Sequence, residues 1–208
     1  MRKNELNRGY LIVFEGIDGT GKSTQCKILA KYLSDRQVPN IVLAEPTKGR
    51  WGMKIRGLLS EGRDGISPQE EVDWFVNDRK EDIDRNIMPA LLDDKVVIMD
   101  RYYFSTAAYQ GALGLDPEEI RAENEKFAPI PDRVLIFLTS PEVCLERIES
   151  SREQKSAFEK KEYLQNVQKI FKSFMGPNIS FINSVGSVSE VHEKVLIEIK
   201  DIFNFDLK

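Results

Sequence analysis

Five short apolar runs along the chain predict five β-strands. They lie at residues 10–15, 41–43, 95–99, 133–138 and 179–182, and the first of them reads YLIVFE. A run that is apolar at nearly every position is typical of a strand that is buried on both faces of a parallel sheet. The pattern therefore favours a parallel sheet whose two faces are both covered.

Segments with apolar residues at helical spacing separate these strands. They cover residues 22–34, 51–59, 68–92, 105–111, 117–127, 141–150, 158–174 and 188–203. Strands that alternate with helices predict an α/β fold, a doubly wound five-stranded parallel sheet flanked by helices and joined by right-handed crossovers. In such a sheet, ligands bind at the carboxyl ends of the strands.

The length and charge of the chain limit the classes of protein that it can represent. Its 208 residues are 41% hydrophobic, which suffices for one core and is too little for two. We expect a single domain over residues 1–208, with residues 1–9 as a polar tail. The net charge of −4 argues against a nucleic-acid partner bound through a dominating basic surface.

Neither a membrane segment nor a signal peptide is visible in the sequence. No stretch approaches the roughly 20 apolar residues of a membrane helix, and the first residues lack an apolar core. We therefore expect a cytoplasmic protein that binds no membrane. Two cysteines, Cys26 and Cys144, and one histidine, His192, are too few for a zinc site or a disulfide framework.

Residues 16–23, GIDGTGKS, match the phosphate-binding pattern G-x-x-x-x-G-K-S/T. They lie between the first predicted strand and a helix, which is the context that this pattern requires. Backbone N–H groups of such a loop and the positive end of the helix bind phosphate oxygens. We expect Lys22 to reach the β- and γ-phosphates of a nucleoside triphosphate and Ser23 to hold Mg²⁺. The predicted nucleotide-binding residues are Gly16, Asp18, Gly19, Thr20, Gly21, Lys22, Ser23 and Thr24.

This phosphate-binding loop alone does not separate a kinase from a GTPase, an ATPase or a nucleotide-binding module without activity. The N-K-x-D motif of Ras-type GTPases is absent from the sequence, and motor and AAA-type ATPases usually have longer chains. A small kinase is the favoured class, and the inactive module stays open as an alternative.

Asp100 and Arg101 follow the third predicted strand, whose carboxyl end faces the same phosphates. The Asp100 carboxylate is suited to orient Mg²⁺ through water, and the Arg101 guanidinium to bind an anionic acceptor. Ser105 and Tyr109 lie four residues apart and share one face of the next helix. The sequence therefore predicts an acceptor site beside the phosphate-binding loop.

Four segments together resemble the thymidylate kinase family. They are FEGIDGTGKSTQ at 14–25, FVNDR at 75–79, DRYYFSTAAYQG at 100–111 and LERIESSREQKSAFE at 145–159. The resemblance spans about residues 11–174 and implies a P-loop NTPase fold, with ATP and Mg²⁺ as cofactors. It further implies a homodimer that transfers a phosphoryl group from Mg-ATP to dTMP, giving dTDP and ADP in nucleotide biosynthesis.

The same resemblance implies roles for individual residues. It assigns Asp18 to the 3′-hydroxyl of the acceptor and Arg101 to the acceptor phosphate. It places Phe75 on the thymine ring, Arg79 at the base edge and Tyr109 against the sugar C2′, where it disfavours a ribonucleotide. The expected catalytic residues are Lys22, Arg101, Arg152 and Asp18. The expected substrate-binding residues are Asp18, Phe75, Arg79, Arg101, Ser105, Tyr109 and Gln110, and the expected metal-binding residues are Ser23 and Asp100.

A polar, charged segment at residues 150–157, between two predicted helices, is expected to form a lid. In the family, an arginine at the transferring phosphoryl group comes either from the phosphate-binding loop or from the lid. Because Gly19 stands at the loop position, the resemblance implies a lid arginine, with Arg152 the better match and Arg147 the alternative. Such an arginine contributes a rate factor of about 10³ to 10⁵.

One departure from the family pattern leaves the acceptor open. Many bacterial members carry an arginine directly before the Glu-Pro step that follows the second strand, where this chain has Ala44. Lys48, Arg50 or Arg56 is then left to reach the acceptor phosphate. The alternative functions are a deoxynucleoside kinase, with Glu45 as the base that takes the proton of a 5′-hydroxyl, and a kinase for another nucleoside monophosphate.

Overall fold

A single five-stranded sheet forms the centre of the molecule. The computed structural model describes residues 6–63, 65–148 and 154–203, without the side chains of residues 145–148 and 154–160. The strands are β1 (Tyr10–Glu15), β2 (Asn40–Ala44), β3 (Val96–Asp100), β4 (Arg133–Leu138) and β5 (Ile179–Asn183). They pair in parallel in the order β2-β3-β1-β4-β5. The predicted fold class is confirmed.

Helices cover both faces of this sheet. They are α1 (Lys22–Asp35), α2 (Arg50–Glu61), α3 (Pro68–Asp82), α4 (Met88–Leu92), α5 (Tyr103–Gly111), α6 (Pro117–Glu125), α7 (Pro141–Ile148), α8 (Gln154–Ser173) and α9 (Val188–Ile199). Alternate residues of β1 divide the core into two layers. Ile12 and Phe14 pack with residues of α1 and α9. Leu11 and Val13 pack with residues of α5 and α8, so both faces of β1 are closed to water.

The predicted helix at residues 68–92 is interrupted in the structure. It begins as expected, because Ser67 caps α3 by accepting the Glu70 N–H and Pro68 occupies the first turn. A π-helical turn, Ile83–Ile87, then separates α3 from α4. Pro89 follows it, and a proline inside an α-helix lacks the N–H and clashes with the carbonyl four residues earlier. The wider π-turn accommodates this break without ending the helical path.

The boundaries around the predicted lid also differ from expectation. Helix α7 ends at Ile148, and α8 begins at Gln154, so residues 154–157 are helical. Their polarity suggested a loop, but none of them is glycine or proline, and residues such as glutamine, lysine and alanine favour helices. Residues 149–153, which include Arg152, lie outside the described residues.

The connection from β3 to α5 is shorter than the sequence suggested. Strand β3 extends through Asp100, and α5 begins at Tyr103 rather than at residue 105. Only Arg101 and Tyr102 join the two elements. This tight connection sits at the carboxyl edge of the sheet, beside the loop that follows β1.

Candidate active site

The phosphate-binding loop, residues 16–23, packs closely against β4 and α7. Gly16, Gly19 and Gly21 have positive φ angles of 129°, 83° and 91°. A Cβ on Gly16 would lie 2.5 Å from the Phe137 carbonyl oxygen, and one on Gly19 would lie 2.6 Å from the Cys144 carbonyl oxygen. Glycine is therefore required at these two positions both by backbone conformation and by space.

Lys22 is buried and hydrogen-bonded within this loop. Its Nζ donates to the Ile17 carbonyl at 2.8 Å and to Thr20 Oγ1 at 3.4 Å. The Thr20 hydroxyl donates to the same carbonyl at 2.9 Å. Burial, together with the positive charge of Arg101, lowers the pKa of Lys22 to about 8. The ammonium is thus held at the loop that the sequence assigns to the phosphates.

Ser23 and Asp100 meet at the carboxyl edge of the sheet. The Ser23 hydroxyl donates to Asp100 Oδ2. A hydroxyl and a carboxylate are suitable ligands for Mg²⁺, which usually keeps several waters and binds substrate phosphates in addition. Among the residues that the structure describes, no group of three histidine, cysteine, aspartate or glutamate side chains is placed to hold a metal. The pair fits a magnesium ion that is bound mainly through the nucleotide.

Arg101 lies on the wall between the phosphate-binding loop and α5. Its φ of 74° is in the left-handed region, and its N–H donates to the Phe14 carbonyl at 3.0 Å. The guanidinium donates to Ser105 Oγ at 2.8 Å and to Asp18 Oδ1 at 2.7 Å. A longer bond of 3.3 Å reaches the Tyr109 hydroxyl. The structure therefore brings four of the predicted site residues into one hydrogen-bonded group.

Sequence reasoning missed a buried carboxylate, Glu15, behind this group. Its Oε1 accepts the N–H groups of Tyr102 at 2.8 Å and Ser105 at 3.1 Å, and its Oε2 accepts the Ser105 hydroxyl at 2.5 Å. Burial raises the pKa of Glu15, against the opposing effects of the Ser105 hydroxyl and the charge of Arg101. The one feature of the sequence that could have pointed to Glu15 is its place as a charged residue at the end of an otherwise apolar strand.

Arg79 forms a buried ion pair with Glu45. Its Nη2 donates to Glu45 Oε2 and, at 3.2 Å, to Thr106 Oγ1, while its Nη1 donates to Asn124 Oδ1 at 2.6 Å. The two charged side chains are only 1% and 3% exposed. Burial raises the pKa of Glu45, and the positive charge of Arg79 opposes the rise. These partners are 27 to 45 residues from Arg79 in the sequence, so no local sequence pattern predicts the contacts.

One cleft of about 1100 Å³ joins the phosphate-binding loop to the acceptor side. Its walls include the predicted residues Asp18, Gly19, Gly21, Lys22, Ser23, Thr24, Phe75, Arg79, Asp100, Arg101, Ser105, Tyr109 and Gln110. Gly16 and Thr20 are not on its walls, since Gly16 backs onto β4 and the Thr20 hydroxyl bonds within the loop. The predicted Arg152 lies outside the described residues, as does the side chain of Arg147.

Arg56 is the one of the three alternative basic residues that lines the cleft, whereas Lys48 and Arg50 lie outside its walls. Its guanidinium donates to the Pro46 carbonyl and, at 3.4 Å, to the Thr47 carbonyl. Helix α2 therefore brings a further guanidinium to the walls of the cleft.

Three buried polar atoms of the cleft residues lack a hydrogen-bond partner within the described part of the chain. They are Glu45 Oε1, Arg79 Nε and Gln110 Oε1. Buried polar groups in native proteins are nearly always hydrogen-bonded to protein or to water, so these atoms at the cleft are available to a polar ligand or to water. One donor and two acceptors are offered at this place.

The fold and the cleft define the class of the protein as a P-loop kinase, because a phosphate-binding loop shares one cleft with an arginine-lined acceptor side. Residues 14–195 match the family model of thymidylate kinase. The chain is 45% identical to the thymidylate kinase of Desulfotalea psychrophila, over 94% of this chain and 96% of the relative. It is 45% identical to the thymidylate kinase of Akkermansia muciniphila over 90% of each chain. It is also 41% identical to the probable thymidylate kinase of Archaeoglobus fulgidus, over 93% of this chain and 96% of the relative.

The chain belongs to the thymidylate kinase family, which confirms the resemblance drawn from its motifs. It is thus an ATP-dependent nucleoside monophosphate kinase. The alternative of a deoxynucleoside kinase is not favoured, and Glu45, its candidate base, is held in the buried ion pair with Arg79. Across the described residues, no helix has both the length and the apolar character that a membrane crossing requires.

Proposed function

We propose that this chain transfers the γ-phosphoryl group of Mg-ATP to the 5′-phosphate of dTMP and releases ADP and dTDP. The observation that carries the proposal is the shared cleft, in which Lys22 of the phosphate-binding loop and Arg101 of the acceptor side line the same space. Membership in the thymidylate kinase family supports dTMP as the acceptor.

On the donor side, the N–H groups of residues 16–24 and the positive end of α1 bind the phosphates of ATP. Lys22 exchanges its bond to the Ile17 carbonyl for the β- and γ-phosphates. Ser23 and Asp100 would hold Mg²⁺, which when bound would supply positive charge to neutralise the phosphates of ATP. The remaining work of the protein on this side is to position the nucleotide.

On the acceptor side, Arg101 and Arg56 bind the phosphate of dTMP, and Asp18 binds its 3′-hydroxyl. The acceptor phosphate is already anionic near neutral pH, so that no general base is needed. Ser105 keeps Arg101 in place through the 2.8 Å bond between them. The ring of Tyr109 packs against C2′ and disfavours a ribose hydroxyl there.

The base of dTMP stacks on Phe75, an aromatic side chain that lines the cleft. Thymine presents carbonyl oxygens as acceptors and one ring N–H as a donor. Arg79 Nε and Gln110 Oε1 are a buried donor and a buried acceptor without partners within the described residues, and they complement those groups. The contacts of Arg79 with Glu45 and Asn124 keep its guanidinium fixed while the base enters.

The remaining proposals rest on the sequence and on family resemblance. Residues 150–157 form a lid that excludes water, and Arg152 stabilises the charge of the transferring group. The chain is a single domain, acts in the cytoplasm as a homodimer, and binds neither nucleic acid nor membranes.

A coupled ADP-release assay with Mg-ATP tests this function, with dTMP, dUMP, UMP, dCMP and thymidine as acceptors. We expect turnover with dTMP, weaker turnover with dUMP, still weaker turnover with UMP, and none with thymidine. The step from dUMP to UMP isolates the sugar hydroxyl that faces Tyr109. Lys22→Ala should abolish turnover in a folded protein, whereas Lys27→Ala, on the exposed side of α1, should not. Turnover of thymidine without turnover of dTMP would refute the proposal.

A further inference from the structure

Glu15 ends β1 directly before the phosphate-binding loop, is fully buried and does not line the cleft. Any effect of Glu15 on substrate must therefore pass through other residues. We propose that Glu15 is a positioning residue that holds Arg101 in the geometry needed to bind the acceptor phosphate. The inference rests on the proposed function, in which Arg101 takes that phosphate.

The carboxylate first anchors the beginning of α5. Tyr102 occupies the N-cap position of α5, and its side chain makes no capping hydrogen bond. Glu15 Oε1, at the end of β1, caps α5 instead by accepting the N–H groups of Tyr102 and Ser105. The Ser105 N–H also donates to the Tyr102 carbonyl at 3.0 Å. The first N–H groups of a helix lack the partner four residues earlier that interior N–H groups have, and the positive end of the helix favours a negative charge. The start of α5 is thereby tied to the end of β1.

Two consecutive residues of β1 hold the two residues that connect β3 to α5. The Phe14 carbonyl accepts the Arg101 N–H at 3.0 Å, and the Glu15 carboxylate accepts the Tyr102 N–H at 2.8 Å. Between these two bonds, the backbone of Arg101 adopts its φ of 74°, which an L-residue rarely takes without support from its surroundings. The direction in which the Arg101 side chain leaves the backbone depends on this conformation.

The Ser105 hydroxyl connects the Glu15 carboxylate to the Arg101 guanidinium by hydrogen bonds. A serine hydroxyl has one proton to donate, and here it is donated to Glu15 Oε2. The lone pairs of Ser105 Oγ are then available to accept from Arg101 Nη1 at 2.8 Å. A carboxylate at position 15 therefore sets the orientation of the hydroxyl that Arg101 needs.

The two carboxylates near Arg101, those of Asp18 and Glu15, differ in their access to the cleft. Asp18 faces the cleft, and its side chain is 66% exposed, so an acceptor can take its place on the guanidinium. Glu15 is fully buried and is not among the residues that line the cleft, so an acceptor cannot displace it from Ser105 directly. Glu15 is thus the permanent partner of this group, and Asp18 is the partner that an acceptor can displace.

Glu15→Gln tests this inference with little change in shape. The amide oxygen can still accept the two N–H groups, but the amide nitrogen donates to Ser105 Oγ and competes with Arg101. We expect the KM for dTMP to rise about tenfold, because a charge-assisted contact is weakened. The KM for ATP and the fold should change little. An unchanged KM for dTMP, with only a lower melting temperature, would show that Glu15 is no more than a helix cap.

Asp132→Asn is the matched control. Its carboxylate also accepts a backbone N–H, that of Leu11 at 2.8 Å, but at the amino edge of the same sheet. We expect this variant to keep the KM for dTMP of the parent chain. An equal rise in both variants would overturn the inference, because it would reflect a general loss of stability.

A double-substitution cycle with Arg101→Lys distinguishes action through Arg101 from independent action. If Glu15 acts through Arg101, Glu15→Gln causes little further loss of kcat/KM for dTMP in the Arg101→Lys background. Losses that multiply would overturn the inference.

Should Glu15→Gln fail to fold, Ser105→Ala removes the hydroxyl between Glu15 and Arg101 while the backbone contacts of Glu15 remain, and an unchanged KM for dTMP would then refute the inference. Turnover by the parent chain tests the proposed function separately, since an active parent with an unaffected Glu15→Gln variant refutes this inference alone.

Discussion

Arg101 Nη2 lies 2.7 Å from Asp18 Oδ1, so the arginine after β3 is paired with the carboxylate inside the phosphate-binding loop. Under the proposed function both side chains bind the acceptor, one its phosphate and the other its 3′-hydroxyl. Entry of dTMP therefore exchanges one ion pair for two ligand contacts. Because the Asp18 side chain is largely exposed, this pair contributes little free energy, and the exchange costs little.

Removal of Asp18 should affect only acceptors that carry a 3′-hydroxyl. We expect Asp18→Ala to lower kcat/KM for dTMP by about 10- to 100-fold, since a hydrogen bond to a charged group is lost. With 3′-deoxythymidine monophosphate, the variant and the parent should differ much less. Steady-state ADP release with the two acceptors measures the difference. An equal loss with both would show that Asp18 acts on something other than the 3′-hydroxyl.

ATP binding should take up a proton in mildly alkaline solution. Burial and the charge of Arg101 lower the pKa of Lys22 to about 8, and the phosphates of ATP raise it again by stabilising the ammonium. Near pH 9, Lys22 is then mostly neutral before binding and charged afterwards, whereas near pH 6.5 it is charged in both states. Calorimetry in buffers of different ionisation enthalpy counts the protons. Lys27→Ala should keep the uptake, and a count that is the same at both pH values would contradict the assignment.

Two glycines of the phosphate-binding loop should respond differently to alanine. Both Gly19→Ala and Gly21→Ala place a Cβ on left-handed backbone, which costs about 1–2 kcal/mol. At Gly19 the Cβ would also meet the Cys144 carbonyl oxygen at 2.6 Å, whereas a Cβ at Gly21 would have no atom of the described residues within 4 Å apart from Gly21 and its two neighbours in the chain. We expect Gly19→Ala to lose clearly more free energy of unfolding in urea without nucleotide. Equal losses of unfolding free energy in the two variants would mean that α7 shifts away from the Gly19 Cβ without loss of stability.

The buried pair of Glu45 and Arg79 should be much more sensitive to one substitution than to two. Glu45→Leu leaves the Arg79 guanidinium buried without its counter-charge, which costs about 3–5 kcal/mol. Adding Arg79→Met should recover much of this loss in the free energy of unfolding, although binding of dTMP stays impaired. The exposed pair of Lys31 and Asp35 serves as a control, and Lys31→Ala should cost no more than about 1 kcal/mol. Additive losses at the buried pair would contradict the expected coupling.

Under the proposed function Arg152 stabilises the transferring phosphoryl group, so its removal should affect the chemical step. We expect Arg152→Ala to lower kcat by about 10³ or more, because an arginine at the transferring phosphoryl group stabilises its charge in the transition state. Arg147→Ala should lower kcat far less, and the KM for dTMP should change little in either variant. Single-turnover measurements separate this step from product release. A larger loss in Arg147→Ala would transfer the role to that residue.

Features that depend on neighbouring residues could be predicted from the amino-acid sequence. Burial on both faces made the strands continuous apolar runs, so the parallel sheet and its class were predictable. The phosphate-binding loop was also readable, because its glycines, lysine and serine occupy consecutive positions at one strand-to-helix junction. The same holds for the Asp100 and Arg101 step, which follows directly from the end of a strand.

The contacts that hold these parts together join residues far apart in the chain and could not be predicted from the sequence. Glu45 and Arg79 are 34 residues apart, and Glu15 and Ser105 are 90 apart. Their pairing depends on which strands are neighbours and on which side chains face each other at the edge of the sheet. The π-turn before α4 and the helical residues 154–157 escaped prediction for a related reason, since local polarity and periodicity do not report backbone hydrogen bonding. A buried charge needs a partner, and long-range packing selects that partner.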